Sequence, residues 1–501
     1  MTIHAGNPGT DFTRPHPFLQ RSVMKMLIGG EWVEAASGET FVTYNPSNGK
    51  PLATIALGGK EDIDRAVAAA RRAFENGWGR SKPSERQRLL LRLAELVDTH
   101  FEELAWLDSL DMGSPISRAV LRKQRGVTML RYYAGLATAI HGTTIENSLP
   151  GEYFSYTLKE PVGVVGSILP WNGPTTSVSW KAAPALAVGC TLVLKPSEDA
   201  CLAPLRFVEL AMEAGYAPGV INIVTGRGDA GAALSAHPGV DKIAFTGSTF
   251  TGQDVIRNSA VNIKRLSLEL GGKSPDIIFD DADLDEAVPG AAMAAFQNTG
   301  QVCSAGTRLL VQRGIYDEFV ERVANFAAGL KVGGSLDPAT QIGPIASARQ
   351  LEKVEGYLDI GKAEGARTAA GGTRLSVPGL DDGYFIAPTV FADVDTQMRI
   401  VREEIFGPVV SALPFDDVED AVRIGNDTSF GLGSGIWTRD VSRAHTVARS
   451  LQAGSVWVNC YQAMDAAIPF GGYKMSGYGR ESGVDHIQDY LSVKAVTMKL
   501  S

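Results

Sequence analysis

From Val162 onward the chain repeats one device. "VGVVGSIL", "TLVLK", "GVINIV", "DKIAFT" and "KRLSLEL" are short β-rich runs about 22 to 29 residues apart, with a helical segment in each gap. Such a gap holds one crossover helix, which parallel neighbours need and a hairpin does not. The rhythm predicts a parallel, doubly wound sheet with helices on both faces. After Gly271-Gly272 the alternation restarts with "PDIIF", "TRLLVQ", "YFIAPTVF", "GSGIWT" and "SVWVNC", between helices such as "YDEFVERVANFAAGL" and "DVSRAHTVARSLQAG". A second α/β unit is therefore expected. Upstream, "MLIGGEWVEAASGETFVTYNPSNGKPLATI" reads as short strands with Gly and Asn-Pro turns, followed by two amphipathic helical stretches. The tail "YLSVKAVTMK" alternates apolar and polar residues, which suits a strand at the edge of another sheet, including one in a neighbouring subunit.

Composition narrows the partners. A chain of 501 residues, 44% hydrophobic, can bury more than one core. Its net charge of -9 comes from interspersed acids and bases, with no basic tract for nucleic acid or an anionic membrane. No run approaches the roughly 18 apolar residues of a membrane span, and "MTIHAGNPGTDFTRPHPFLQ" lacks a basic start followed by an apolar run. A soluble, cytoplasmic protein is expected. Cys190, Cys201, Cys303 and Cys460 form no CxxC pair, and the seven histidines show no HExxH spacing. Neither a disulfide framework nor a metal is expected.

In an open parallel sheet, ligands bind beyond the carboxyl ends of the strands. Three such ends carry suggestive chemistry. "VTGRGDAG" holds Gly226, Gly228 and Gly231 as a GxGxxG, although no acidic residue follows at the spacing of the dinucleotide fingerprint, and plain turn glycines explain it as well. "FTGSTFTG" sets Gly247 and Ser248 before a helix, which fits pyrophosphate on a helix N-terminus or a simple N-cap. "LVLKPSE" brackets a turn with Lys195 and Glu198; they fit a solvated pair, or a carboxylate that takes both hydroxyls of a ribose and repels a 2′-phosphate.

Cys303, in "QNTGQVCSAG", follows the apolar helix "LDEAVPGAAMAAF". A lone buried cysteine is more often inert than nucleophilic. Its company changes the balance. In "KRLSLELGGKSP" the alternation puts Leu266, Leu268 and Leu270 on one face and Ser267 and Glu269 on the other, leaving a carboxylate at a strand end where it can act as a base. "ILPWNGP" sets Asn172 just beyond a strand, where its amide can face a developing oxyanion.

In order and spacing, "PWN", "LKPSE", "FTGST", "LELGGKSP", "GQVCSAGTR", "EEIFGP" and "PFGGYKMSGYGRE" resemble the aldehyde dehydrogenase superfamily, in its non-acylating, NAD-dependent form, from about "LIGGEWV" to "SVKAVT". The resemblance implies an α/β fold with a Rossmann-type cofactor domain (residues 1–140 and 161–271), a second α/β catalytic domain (272–474) and a small β oligomerisation arm (141–160 and 484–501), hence a homodimer or a dimer of dimers. It implies that Cys303 attacks the aldehyde carbon, that the Asn172 amide and the Cys303 N–H hold the oxyanion, and that hydride passes to the nicotinamide. Glu269 then activates the water that hydrolyses the thioester. Lys181 and Glu481 match positions that relay protons from that base, though a salt bridge or surface charge explains them as readily. For NAD, the resemblance implies Lys195 and Glu198 at the adenosine ribose, and Gly247 and Ser248 at the pyrophosphate. It puts Trp171 beside the groove, Glu404 and Phe406 at the nicotinamide ribose and ring, and the Leu270 carbonyl near the carboxamide. Gly228 is the glycine of the GxGxxG expected nearest the cofactor.

The chain departs from similar members that act on small aldehydes, which commonly carry phenylalanine where Gly173, Gln297 and Met464 stand here. Losing three rings widens the passage, leaving Trp180, Phe296 and Phe470 as apolar walls. A bulky, aromatic or cyclic aldehyde is expected. The rival readings are a CoA-acylating semialdehyde dehydrogenase, in which the base is typically absent, a catalytically inactive binding relative, and a cysteine hydrolase, which would need a histidine near Cys303.

Overall fold

A computed structural model describes residues 17–500. Residues 1–16 and 501, assigned above to the first domain and the arm, lie outside the described residues. The two rhythms form two sheets. The first has eight strands, and its parallel centre is formed by Val164–Ile168, Thr191–Lys195, Ile221–Ile223, Lys242–Thr246 and Arg265–Glu269. Val164–Ile168 and Thr191–Lys195 are buried along their whole length because helices cover both faces, so they read as unbroken apolar runs and not as alternation. From Val164–Ile168 the chain steps outward through two strands on one side. It then returns to start Lys242–Thr246 on the other, leaving a switch point between these neighbours.

Short antiparallel strands complete the edges: Met26–Ile28 and Glu31–Val33 on one side, Gly477–Tyr478 on the other. Helix Lys60–Glu75 buries Ile63, Ala66, Val67 and Ala70, one helical stripe, against this sheet. The long periodic stretch after Ser84 is two helices, Pro83–Thr99 and Phe101–Met112, broken at His100. Gly189 and Gly215 end helices Pro174–Val188 and Leu202–Ala214 in the left-handed conformation.

The second sheet has seven strands, with Pro275–Ile278 inside it between Arg308–Gln312 and Gly433–Trp437. Two of its strands, Arg367–Ala370 and Val409–Phe415, were not among the runs expected from sequence. A third sheet joins Thr144–Ile145, Tyr153–Pro161 and Leu491–Lys499, the last two pairing over nine residues. Part of the expected arm is not strand: Gly483–Gln488 is a helix whose Ile487 packs into the first unit's core.

Candidate active site

The sheets meet end to end. Strand Arg265–Glu269 runs through Leu270–Ser274 straight into Pro275–Ile278. At that junction the Gly271-Gly272 pair is demanded by contact: a Cβ on Gly271 would sit 2.5 Å from the Glu404 carboxylate, and one on Gly272 would sit 2.2 Å from the Cys303 carbonyl. The cysteine reaches the junction because helix Leu284–Phe296 ends there. Asn298 and Thr299, both with positive φ (51° and 60°), then turn the chain toward Cys303. Left-handed backbone at non-glycine residues is costly, and it concentrates where a site needs it.

A cleft of about 700 Å³ opens over the switch point, with Cys303 on its wall. Every strand end singled out from sequence contributes to it. Trp171 and Asn172 follow the first strand, Lys195 and Glu198 the second, Gly247 and Ser248 the fourth, and Leu270 the fifth. Gly228 and Gly231 line it too, whereas Gly226 lies against the Gly58 carbonyl, where a Cβ would stand 2.4 Å away. Lys195 is buried and pairs with Glu198 at 3.5 Å, and burial lowers its pKa. The Ser248 hydroxyl caps helix Thr249–Ser259 by accepting from Thr251 N. Glu404 accepts from the Gly272 N–H at 2.9 Å, and Phe406, at φ 58°, meets Trp171 edge-on at 5.1 Å.

Around the thiol the electrostatics are one-sided. Burial, then the carboxylates of Glu269, Glu404 and Glu481, push the Cys303 pKa up, opposed by the Ser304 N–H. Glu269 is buried with Oε2 unpartnered, and burial followed by Glu481 raises its pKa well above the carboxylate range. Lys181 and Glu481 form a buried ion pair, not a surface one, and Glu481 exchanges backbone hydrogen bonds with Phe470. One N–H of the Asn172 amide is held by the Gln301 carbonyl at 3.0 Å, leaving its second free to turn to a substrate.

Comparisons with known proteins identify the family. The sequence model of the Aldehyde dehydrogenase family matches residues 32–496. The chain belongs to that family. Mitochondrial aldehyde dehydrogenase of Homo sapiens is 47% identical over 97% of this chain and 94% of its own; Aldehyde dehydrogenase family 2 member C4 of Arabidopsis thaliana is 47% identical over 95% of each. Among solved structures, a mutant of aldehyde dehydrogenase from Bacillus cereus superposes with TM-score 0.94 at 48% identity, covering 97% of this chain and 98% of that one. Betaine aldehyde dehydrogenase from Staphylococcus aureus, solved in complex with NAD+, has TM-score 0.94 at 41% identity, covering 96% of each.

In this aldehyde dehydrogenase one expected wall residue lies elsewhere. Phe296 is fully buried in the core beneath the second sheet, with Ile278, Leu309 and Val311, because the last turn of its helix points inward. Trp180 and Phe470 do meet, with ring centroids 6.2 Å apart, and Met464 packs on the cluster of Leu432, Trp457 and Phe470 that also touches Cys303. Gly173 starts helix Pro174–Val188, and a Cβ there would meet nothing within 4 Å. Gln297 donates to the Gln462 side chain. Sequence reasoning missed Gln350 and Lys353, which line the cleft from helix Ala348–Ala363; Gln350 holds the carbonyls of Ile405 and Phe406 at 3.1 and 2.8 Å. They carried no signal beyond ordinary helical amphipathicity.

No helix among the described residues is long and apolar enough to cross a membrane, and no group of three His, Cys, Asp or Glu side chains there could hold a metal ion.

Proposed function

We propose that this chain oxidises an aldehyde to the carboxylic acid with NAD, through a thioester on Cys303 that Glu269 helps water to cleave. The observation that carries the reading is the convergence of a thiol from the second unit, on the wall of the cleft, and a buried carboxylate from the first, Glu269, close enough for its charge to act on that thiol.

The cleft's residues fit NAD. Helices Gly228–Ala236 and Thr249–Ser259 present their N-termini to it, an arrangement that suits a pyrophosphate, and Gly228 leaves open space where a Cβ would stand. Lys195 and Glu198 would hold the adenosine ribose, Gly247 and Ser248 the pyrophosphate. Glu404, Phe406 and the Leu270 carbonyl would hold the nicotinamide end, with Trp171 flanking. When bound, NAD supplies the hydride acceptor.

The chain's own groups do the rest. Cys303 Sγ bonds to the aldehyde carbon as its proton passes to a base; the Asn172 amide and the Cys303 N–H, which no acceptor takes among the described residues, hold the oxyanion. With the acyl group on sulfur, Glu269 takes a proton from water, and the hydroxide displaces Cys303 as thiolate. The ion pair Lys181–Glu481 receives protons from Glu269. The first unit is the cofactor domain, the second the catalytic domain, and the three-stranded sheet joins subunits into a dimer or a dimer of dimers. Four free thiols suit the reducing cytoplasm, where we place the enzyme.

The open space at Gly173, with Gln297 and Met464 in place of rings, favours a bulky, aromatic or cyclic aldehyde over acetaldehyde. NADH formation on adding benzaldehyde, hexanal or acetaldehyde tests the reading: no NADH from any of them refutes it, and a clear preference for acetaldehyde refutes the substrate size.

A further inference from the structure

Two arginines that do not line the cofactor cleft bond the residues around Cys303. Arg122 ends the turn Val120–Arg122, and Arg125 follows one turn later in helix Lys123–Leu136, which packs along helix Pro174–Val188. Arg122 Nη2 donates to Asn298 Oδ1 at 2.6 Å, and Asn298 in turn donates to the Asn172 carbonyl at 3.0 Å. Arg125 Nη2 donates to the Gln462 carbonyl at 3.2 Å; the Gln462 side chain bonds Gln297 and donates to the hydroxyl of Ser304, the neighbour of Cys303, at 3.2 Å. Both guanidinium groups thus lie one side chain away from the residues that flank the thiol.

Both hydrogen-bond neutral acceptors and neither has a full counter-ion. Among the described residues neither forms an ion pair, and Arg122 Nη1 is buried with no hydrogen-bond partner. The acid whose charge acts on Arg122, Asp108, has its pKa raised to about 7 by burial against the pull of that arginine, and spends Oδ1 on Thr175. Arg308 shows how this protein treats an arginine that serves only the core: its guanidinium donates to four backbone carbonyls, those of Lys273, Ile424, Gly425 and Asp427. A guanidinium keeps its charge even when burial lowers its pKa, as it does for both Arg122 and Arg125. Leaving such a charge half-desolvated without a counter-ion is costly, so an anion that arrives with the substrate would relieve it.

We propose that the substrate is an aldehyde with a carboxylate at its far end. Arg125 and Arg122 bind that carboxylate, the apolar middle lies against Trp180, Met464 and Phe470, and the aldehyde carbon reaches Cys303. The gap at Gly173 and the amide at Gln297 make room for this polar end. The proposal rests on the aldehyde-oxidising reading above and names the class of its substrate.

The test compares kcat/KM for 4-carboxybenzaldehyde and 4-methylbenzaldehyde, close in size and differing in charge, at saturating NAD. The wild-type enzyme is expected to favour the carboxylate by at least about tenfold, the scale of a charge-assisted hydrogen-bond pair. Arg125→Met should cut that ratio at least about tenfold, and Arg125→Lys should cut it less, since a charge remains but the fork is lost. Because each ratio is taken within one preparation, a loss of folded enzyme cancels. Arg125 is the primary probe, as Arg122 also braces Asn298. A wild-type ratio at or below one, or a ratio that Arg125→Met leaves unmoved, overturns the proposal while aldehyde oxidation stands. If neither aldehyde reduces NAD, the aldehyde-oxidising reading falls and takes this one with it.

Discussion

Burial, reinforced by the carboxylates of Glu269, Glu404 and Glu481, holds the Cys303 thiol above its usual pKa and so favours its protonated form. Replacing it removes the covalent route altogether. Cys303→Ala is expected to lower kcat by several orders of magnitude while NAD still quenches tryptophan fluorescence; more than a few per cent of residual rate would remove Cys303 from the mechanism. Glu269 makes a second forecast, with a sign. A base works only when deprotonated, so a pKa raised by burial and by Glu481 moves the acid limb of the rate profile above the ordinary carboxylate range, with activity rising as pH rises. Glu269→Gln should flatten that limb and produce a burst of NADH, because hydrolysis then lags behind thioester formation. If the burst is absent and added CoA restores the rate, acyl transfer to CoA is the true second half of the reaction. These two residues and Asn172 were legible from sequence because each sits at an element's end with its chemistry displayed. Phe296 proved to be core: nothing in "AAFQN" tells which of two adjacent residues the last helical turn sends inward, and here Phe296 is buried while Gln297 bonds the Gln462 side chain.

Strands carry consequences of their own. Asp276 lies in Pro275–Ile278, an interior strand of the second sheet, with Oδ1 accepting from the Trp437 indole at 2.9 Å and Oδ2 unpartnered. Burial raises its pKa to about 7, against roughly 3.9 for an unfolded aspartate. The folded state therefore binds this proton more tightly. The stability it contributes is fully present below about pH 4 and is lost as pH rises through about 7. Asp276→Asn should shrink the fall in Tm between pH 5 and pH 8, as measured by scanning calorimetry, and an unchanged fall would assign the loss to other groups. In the turn after Thr191–Lys195, Glu198 is expected to disfavour a 2′-phosphate. Glu198→Ser should narrow the ratio of kcat/KM for NAD over NADP by about tenfold, and an unmoved ratio would put the discrimination elsewhere. The central strands were readable because burial on both faces leaves unbroken apolar runs, and spacing alone fixed their parallel sense. What sequence could not show is which helix lies against which. Arg122 and Arg125 look like solvated charges until the helix that holds Arg125, and that Arg122 immediately precedes, is packed beside Pro174–Val188.

At the scale of the molecule, the three-stranded sheet leaves Leu491–Lys499 as an edge, with Met498 exposed opposite Phe154 on one face and Val493 exposed on the other. An apolar, open edge is a place for another chain to pair or pack. Val493→Asp combined with Met498→Asp is expected to shift the light-scattering mass from a dimer or tetramer to the monomer, and an unaltered mass would place the subunit contact elsewhere. The same segment sets an order of events during synthesis. Gly477–Tyr478 closes the first sheet, Glu481 brings Lys181 its counter-ion, and Leu491–Lys499 pairs with a strand made more than three hundred residues earlier. Contacts so distant in sequence form late. A nascent chain that stalls before its final strands therefore holds Cys303, Glu269 and most of the cleft, yet lacks the partner of Lys181 and the cover for its first sheet, so every ribosome must finish the last stretch of the message before these contacts close.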